Sequence, residues 1–287
     1  MDEQTVTRLS VLADKVRLDT LKTLKNMGYG HLGGSFSIAE LLAVLYGKQM
    51  RIRPQEPQWA DRDRLVLSKG HAGPGLYAML ANMGYFDKSM LATLNEGGTN
   101  LPSHPDRLKT PGVDATTGSL GQGTSVAAGI ATGLRLDKKD NYVYLICGDG
   151  ELNEGQCWEA FQYLAHFKLN NCIVIIDDNK KQLDGLTVDI MNPFDFQKKM
   201  EAFGFYTLKI KGDDIRGIDA AIEELKSVKD QAVCLVLDSI KGQGVPYFET
   251  LNDNHSVKFN NDEINQAAEE TIVALEKSIK EREQVNV

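Results

Sequence analysis

Tyr142-Val143-Tyr144-Leu145-Ile146-Cys147 runs directly into Gly148-Asp149-Gly150-Glu151-Leu152-Asn153-Glu154-Gly155. A second apolar run, Cys172-Ile173-Val174-Ile175-Ile176-Asp177, leads to Asn179. Both runs are short and rich in β-formers, with a helix-length segment from about Glu154 to Phe167 between them, which predicts a βαβ unit. Parallel strands joined by a right-handed crossover end on one edge of the sheet. Asp149 and Asn179 are therefore expected together at the carboxyl edge, where α/β sheets bind ligands.

An Asp and an Asn converging there offer two hard oxygens, which suits Mg2+, an ion that takes near-octahedral oxygen coordination shared with phosphate. A nearby main-chain carbonyl can supply a third. Gly148 and Gly150 let the backbone approach a diphosphate, and the helix that follows is expected to offer its amino end to the anion. Gly-Asp-Gly alone also reads as an ordinary β-turn after a strand. Asn179 is what separates the two readings.

Four histidines, His31, His71, His104 and His255, lie in segments containing Gly, Pro, Ser or Asn, whereas His166 falls within a helical stretch. An imidazole can donate to a sugar hydroxyl or accept a proton near neutral pH. Each alone reads as an ordinary surface histidine. Their shared loop context favours a site.

Six ordered segments carry a resemblance: Gly30-His31-Leu32-Gly33-Gly34-Ser35, Leu67-Ser68-Lys69-Gly70-His71-Ala72, Leu101-Pro102-Ser103-His104-Pro105, Thr117-Gly118-Ser119-Leu120-Gly121-Gln122-Gly123, the Asp149 to Asn179 motif, and Lys241-Gly242-Gln243-Gly244. Over nearly its whole length the chain resembles the thiamine-dependent transketolase family, in the module that binds the cofactor's diphosphate. The resemblance implies Mg2+ ligands at Asp149, Asn179 and the Lys181 carbonyl. It implies cofactor contacts at His71, Gly118, Ser119, Leu120, Asp149, Gly150, Glu151 and Asn179. His31, His71, His104 and His255 match the family's active-site histidines, and Glu154 and Glu159 resemble acidic residues that link paired active sites across its dimer. Leu32 stands where many members have Pro, and His255 sits in Asn254-His255-Ser256 where Trp-His-Gly is commoner.

In that family a glutamate activating the cofactor lies on a second, pyrimidine-binding module. No such module follows within these 287 residues. The resemblance therefore implies the N-terminal subunit of a split transketolase. Its partner would be a C-terminal subunit carrying that glutamate, in a dimer of heterodimers, and its reaction the transfer of a two-carbon ketol unit from a ketose to an aldose. The rival readings are a 2-oxoacid dehydrogenase first component, a deoxyxylulose-phosphate-synthase relative, and a non-catalytic cofactor-binding regulator. Four histidines favour transketolase, because polyhydroxylated substrates need many hydrogen-bonding groups.

With 42% hydrophobic and 25% charged residues, the chain has ordinary globular composition. We expect one α/β domain over 1–287, a mostly parallel sheet flanked by helices, with 262–283 a C-terminal helix. A net charge of −8 with scattered charges argues against nucleic-acid binding. No apolar run approaches a membrane span and no signal peptide precedes the first helix, so the expected compartment is the cytoplasm. Cys147, Cys157, Cys172 and Cys234 lack metal or disulfide spacing and read as core residues. Further elements are expected as helices near Thr5–Met27, Ser37–Tyr46, Gly73–Met83 and Ile215–Lys229, and as strands at Arg62–Ser68, Phe205–Ile210 and Ala232–Asp238. Leu91 to Gly118 should be a long loop. Gly123–Leu136, rich in Ala and Gly, should be a tightly packed buried helix.

Overall fold

A computed structural model describes residues 1–285. Its centre is a five-stranded sheet: β1 (Arg64–Leu67), β2 (Val143–Gly148), β3 (Cys172–Asp178), β4 (Phe205–Lys211) and β5 (Ala232–Asp238), in the spatial order β1-β2-β3-β5-β4. Every neighbouring pair is parallel. The inner strands β2 and β3 are buried throughout. That is why they read as continuous apolar runs, since a parallel sheet is covered on both faces. The edge strand β4 alternates instead and turns Lys209 and Lys211 to solvent. Charges of that kind discourage edge-to-edge pairing.

Side chains alternate between two cores. Tyr144, Ile146, Ile173, Ile175, Val233 and Leu235 pack beneath α1 (Glu3–Met27), α2 (Ala39–Val44), α3 (Gly73–Asn82) and α7 (Ile215–Ser227). Leu145, Cys147, Val174, Ile176, Cys234 and Val236 face α4 (Gln122–Leu136), α5 (Gly155–His166) and α6 (Phe196–Ala202). The four cysteines are buried and unbridged, as their spacing predicted. The last helix, α8 (Asp262–Val285), packs along α1, with ion pairs such as Lys22–Glu276 at 2.6 Å on the rim.

Helix α1 has well-defined ends. The Asp2 side chain accepts from the Thr5 N–H, and Gly28 at φ 87° closes the far end by donating to the Leu24 carbonyl. Midway along it, Arg17 is wholly buried. Its guanidinium binds Glu40 at 2.6 Å and the Gln243 carbonyl at 2.8 Å, joining the first helix to the loop after β5.

Two expectations need correction. Helix α4 is buried on one side only: Val126 and Leu136 are exposed, and a Cβ added at Gly129 or Gly133 would meet nothing within 4 Å. Its small residues let one face pack on the sheet, but they leave the other open. Ser37–Tyr46 is split, with α2 running straight into a π-turn over Leu45–Gln49. Helix α5 begins at Gly155, within a residue of the expected Glu154, after a 3₁₀ turn over Gly150–Asn153. The Gly150 N–H is turned back onto the Asp149 carboxylate at 2.8 Å. The long loop is present, with little regular structure between Thr93 and Gln122.

Candidate active site

Gly148 pairs with Asp177 across β2 and β3, and Asp178 pairs with Asp238 across β3 and β5. The strand ends are thus level, and the segments that leave them converge on one cleft of about 200 Å³ at the carboxyl edge. Asp149, Gly150, Glu151, Asn179 and Lys181 line it, with His31, His71, Leu120 and His255. Of the expected cofactor contacts, Gly118 packs behind the His104 ring and Ser119 faces solvent.

Asp149 is almost fully buried, and its two oxygens accept from the Gly150 N–H at 2.8 Å and the Lys180 N–H at 2.7 Å. Burial raises its carboxyl to about 7, and the negative charges of Asp177 and Asp178 add to the effect. A cation placed there would relieve both costs. Asn179 presents Oδ1 beside it, accepting from the Lys181 N–H at 3.2 Å, and the Lys181 carbonyl accepts from Lys241 Nζ at 3.1 Å. This all-oxygen donor set fits a hard divalent ion shared with a diphosphate.

Glu151 lines the cleft and is also bonded within the chain. Its buried carboxylate takes the Ser68 hydroxyl at 2.5 Å and the N–H groups of Gly121 and Gly148 at 2.9 and 3.1 Å. It therefore ties three loops together at the cleft wall.

The histidines do converge. His71 lies edge to face with His31 at 4.8 Å between ring centroids and with His104 at 4.6 Å, and His255 is 5.2 Å from His31. His166 is exposed, away from the cleft. Burial lowers His31 and His71 to about 4 and His255 to about 3, and the neighbouring imidazoles and the Lys241 ammonium push the same way. All three are neutral at pH 7, so each carries one donor and one acceptor nitrogen. His104 is lowered by burial, and its Nε2 is enclosed without a hydrogen-bond partner. That nitrogen is a buried polar atom with no partner among the described residues.

The unusual Asn254-His255-Ser256 context has a physical reason. Asn254 is buried and donates to the carbonyls of Lys241 and Phe248, both at 2.8 Å, while its own carbonyl takes the Gly33 N–H at 2.9 Å. The loop holding His255 is thereby pinned to the loop holding His31. Leu32 is fully buried in the core below.

Sequence reasoning missed two cleft lysines. Lys69 donates to the Gly34 carbonyl at 2.7 Å and to Asp177 at 2.6 Å. Lys241 lies 3.0 Å from His255 Nδ1, and burial lowers its ammonium to about 8. Both sit inside quoted motifs, next to glycines after strand ends, a position that favours anion contact. That position was the available signal.

Comparison with known proteins gives the same answer as the geometry. Residues 9–286 match the family model described as transketolase, thiamine diphosphate binding domain. The chain belongs to the transketolase family. It is 45% identical over 259 residues to the 6-deoxy-6-sulfo-D-fructose transketolase subunit SqwG of Clostridium sp. (strain MSTE9), covering 90% of this chain and 94% of that one. It is 33% identical over 276 residues to one of the subunits of the apulose-4-phosphate transketolase of Phocaeicola vulgatus, covering 96% and 98%. The Campylobacter jejuni transketolase structure superposes with a TM-score of 0.83 at 27% identity, covering 100% of this chain and 48% of that one. A Pichia stipitis transketolase mutant gives 0.83 at 28%, covering 98% and 45%. The chain thus spans under half of the solved transketolases but nearly all of the relatives named as subunits. The expected α/β fold and the expected transketolase subunit that binds thiamine diphosphate both stand.

Proposed function

We propose that this chain is the diphosphate-binding half of a two-subunit transketolase that uses thiamine diphosphate and Mg2+. In this reading a separate C-terminal subunit supplies the pyrimidine-binding module and its glutamate. The observation that carries it is the convergence of four imidazoles at the cleft lined by the buried Asp149 and Asn179. Thiamine diphosphate, when bound, supplies the carbon nucleophile and the electron sink. Asp149, the Asn179 amide and the Lys181 carbonyl hold the Mg2+. Lys69, Lys241 and Gly150 face the diphosphate. His31, His71, His104 and His255 hold sugar hydroxyls and pass protons among them as the C2–C3 bond of the ketose breaks.

The small size of the cleft supports the need for a partner, since about 200 Å³ is below the ~300–1,000 Å³ of complete small-molecule sites. The open face of α4, beside exposed Glu154 just before α5 and exposed Glu159 and Tyr163 on it, supports self-association into a dimer of heterodimers. We read the described residues, 1–285, as one domain, and the last two residues of the expected span 1–287 lie outside them. Among the described residues no helix is long and apolar enough to cross a membrane, and we assign the complex to the cytoplasm. The substrates named for the relatives give the first sugars to try, 6-deoxy-6-sulfo-D-fructose and apulose 4-phosphate.

The test is affinity capture of the chain from its host with thiamine diphosphate and Mg2+, followed by a ketol-transfer assay with these sugars. A co-purifying second chain and a two-carbon product are expected. A chain that emerges alone and inactive, while still binding cofactor, would sink the reading.

A further inference from the structure

Asp177, near the end of β3, does not line the cleft and holds no expected role, yet it is fully enclosed and collects four donors. Ser239 Oγ donates to Oδ1 at 2.5 Å. Oδ2 takes Ser37 Oγ at 2.7 Å, Lys69 Nζ at 2.6 Å and Asn179 Nδ2 at 2.7 Å. The Lys69 ammonium makes an ion pair with it in this enclosed site. The four partners come from the His31 loop, the His71 loop, the segment after β3 and the segment after β5.

The consequence lies in the amide. An ionised carboxylate only accepts and the Lys181 N–H only donates, so both neighbours of the Asn179 side chain demand the same orientation. Nδ2 must face Asp177, and Oδ1 is left on the Lys181 side. A flipped amide would put an NH2 group where a cation is to bind.

We propose that Asp177 is a positioning residue for the metal site: by clamping the Asn179 NH2 it fixes Oδ1 as the ligand atom, and by pairing with Lys69 it keeps that ammonium off the metal. Partners of this kind, behind the ligand, commonly change metal affinity about 10–100-fold when replaced. The inference rests on the Mg2+ reading above.

Manganese reports binding directly, because the six-line spectrum of the free ion fades on capture. Full-length chain with thiamine diphosphate is titrated with Mn2+ for the wild type, Asp177→Asn, Asp177→Glu and Ser239→Ala. Asp177→Glu keeps the charge against Lys69 but displaces the carboxylate, so it reports even if Asp177→Asn does not fold. We expect at least about tenfold weaker capture by the Asp177 variants. Ser239→Ala, which loosens the other oxygen, should lower the melting temperature with affinity unchanged. Wild-type affinity in the Asp177 variants overturns the proposal, as does an equal loss in Ser239→Ala, which would mean general loosening. If folded wild type captures no Mn2+, the metal reading fails and takes this inference with it.

Discussion

His31 and His71 meet edge to face, 4.8 Å between ring centroids and 89° between planes, although one follows α1 and the other follows β1. Two neutral imidazoles so placed can each offer a hydrogen bond to adjacent oxygens of one polyol. Replacing His31 should damage chemistry more than cofactor retention. His31→Ala is expected to lower kcat by about 10²–10⁴ with thiamine diphosphate affinity nearly unchanged. Asp149→Ala should instead abolish metal-dependent cofactor binding. Calorimetric titration alongside steady-state kinetics separates the two, and the reverse pattern would overturn the assigned roles.

Acid should weaken the fold through the same cluster. His31 and His71 are held at about 4 and His255 at about 3, against 6.5 for a free imidazole. The unfolded chain takes up these protons as pH falls through 6.5, and the folded chain refuses them until near 4. Their contribution is complete above 6.5 and is lost toward 4. Asp149, raised to about 7, has the opposite sign, because the folded chain binds that proton before the unfolded one does. Three imidazoles against one carboxyl leave a net loss. Scanning calorimetry of the metal-free chain should show a falling melting temperature from pH 6.5 to 4, with a shallower slope for the His31→Gln/His71→Gln double variant. A flat wild-type profile would contradict the neutral assignment.

Gly118 sits at φ 134°, and an added Cβ would lie 2.8 Å from the His104 ring. Gly118→Ala should cost about 1–3 kcal/mol of backbone strain, measured by urea unfolding. It should also move His104 and raise the sugar KM. Unchanged stability and KM would mean that the loop is softer than its contacts indicate.

The open side of α4 makes a prediction about assembly. Gly129→Arg enters empty space in the single chain and replaces a poor helix former by a good one, gaining about 1 kcal/mol at most. Against a second copy it is an obstruction. Analytical ultracentrifugation of the purified complex should show half the wild-type mass with thermal stability retained. An unchanged mass would place self-association elsewhere.

How much of this was legible beforehand depends on the kind of signal. Strands β2 and β3 were visible because burial on both faces leaves an unbroken apolar run, and β5 ends at the expected Asp238. Asp149 and Asn179 could be paired because parallel strands must end on one edge. Glu151 and Asp177 could not be read as braces, since their partners lie up to 140 positions away and no local spacing encodes such bonds. The open face of α4 was misread because Ala and Gly permit close packing on any side without saying which side is used. Asn254 was legible only as a departure. Its pinning role depends on the Gly33 N–H, brought near by the fold.

Arg17 and Gln243 are bonded across 226 positions, and His31 and His255 stand about as far apart in the chain while facing each other in the cleft. A polypeptide emerging from the ribosome holds the amino-terminal half of this pocket long before the closing half exists. The glycine-rich loop after α1 gains its partner in the cleft only when the segment around Asn254 is in place. The pocket therefore closes through contacts of very high sequence separation, which form slowly because the loop-closure entropy must be met first.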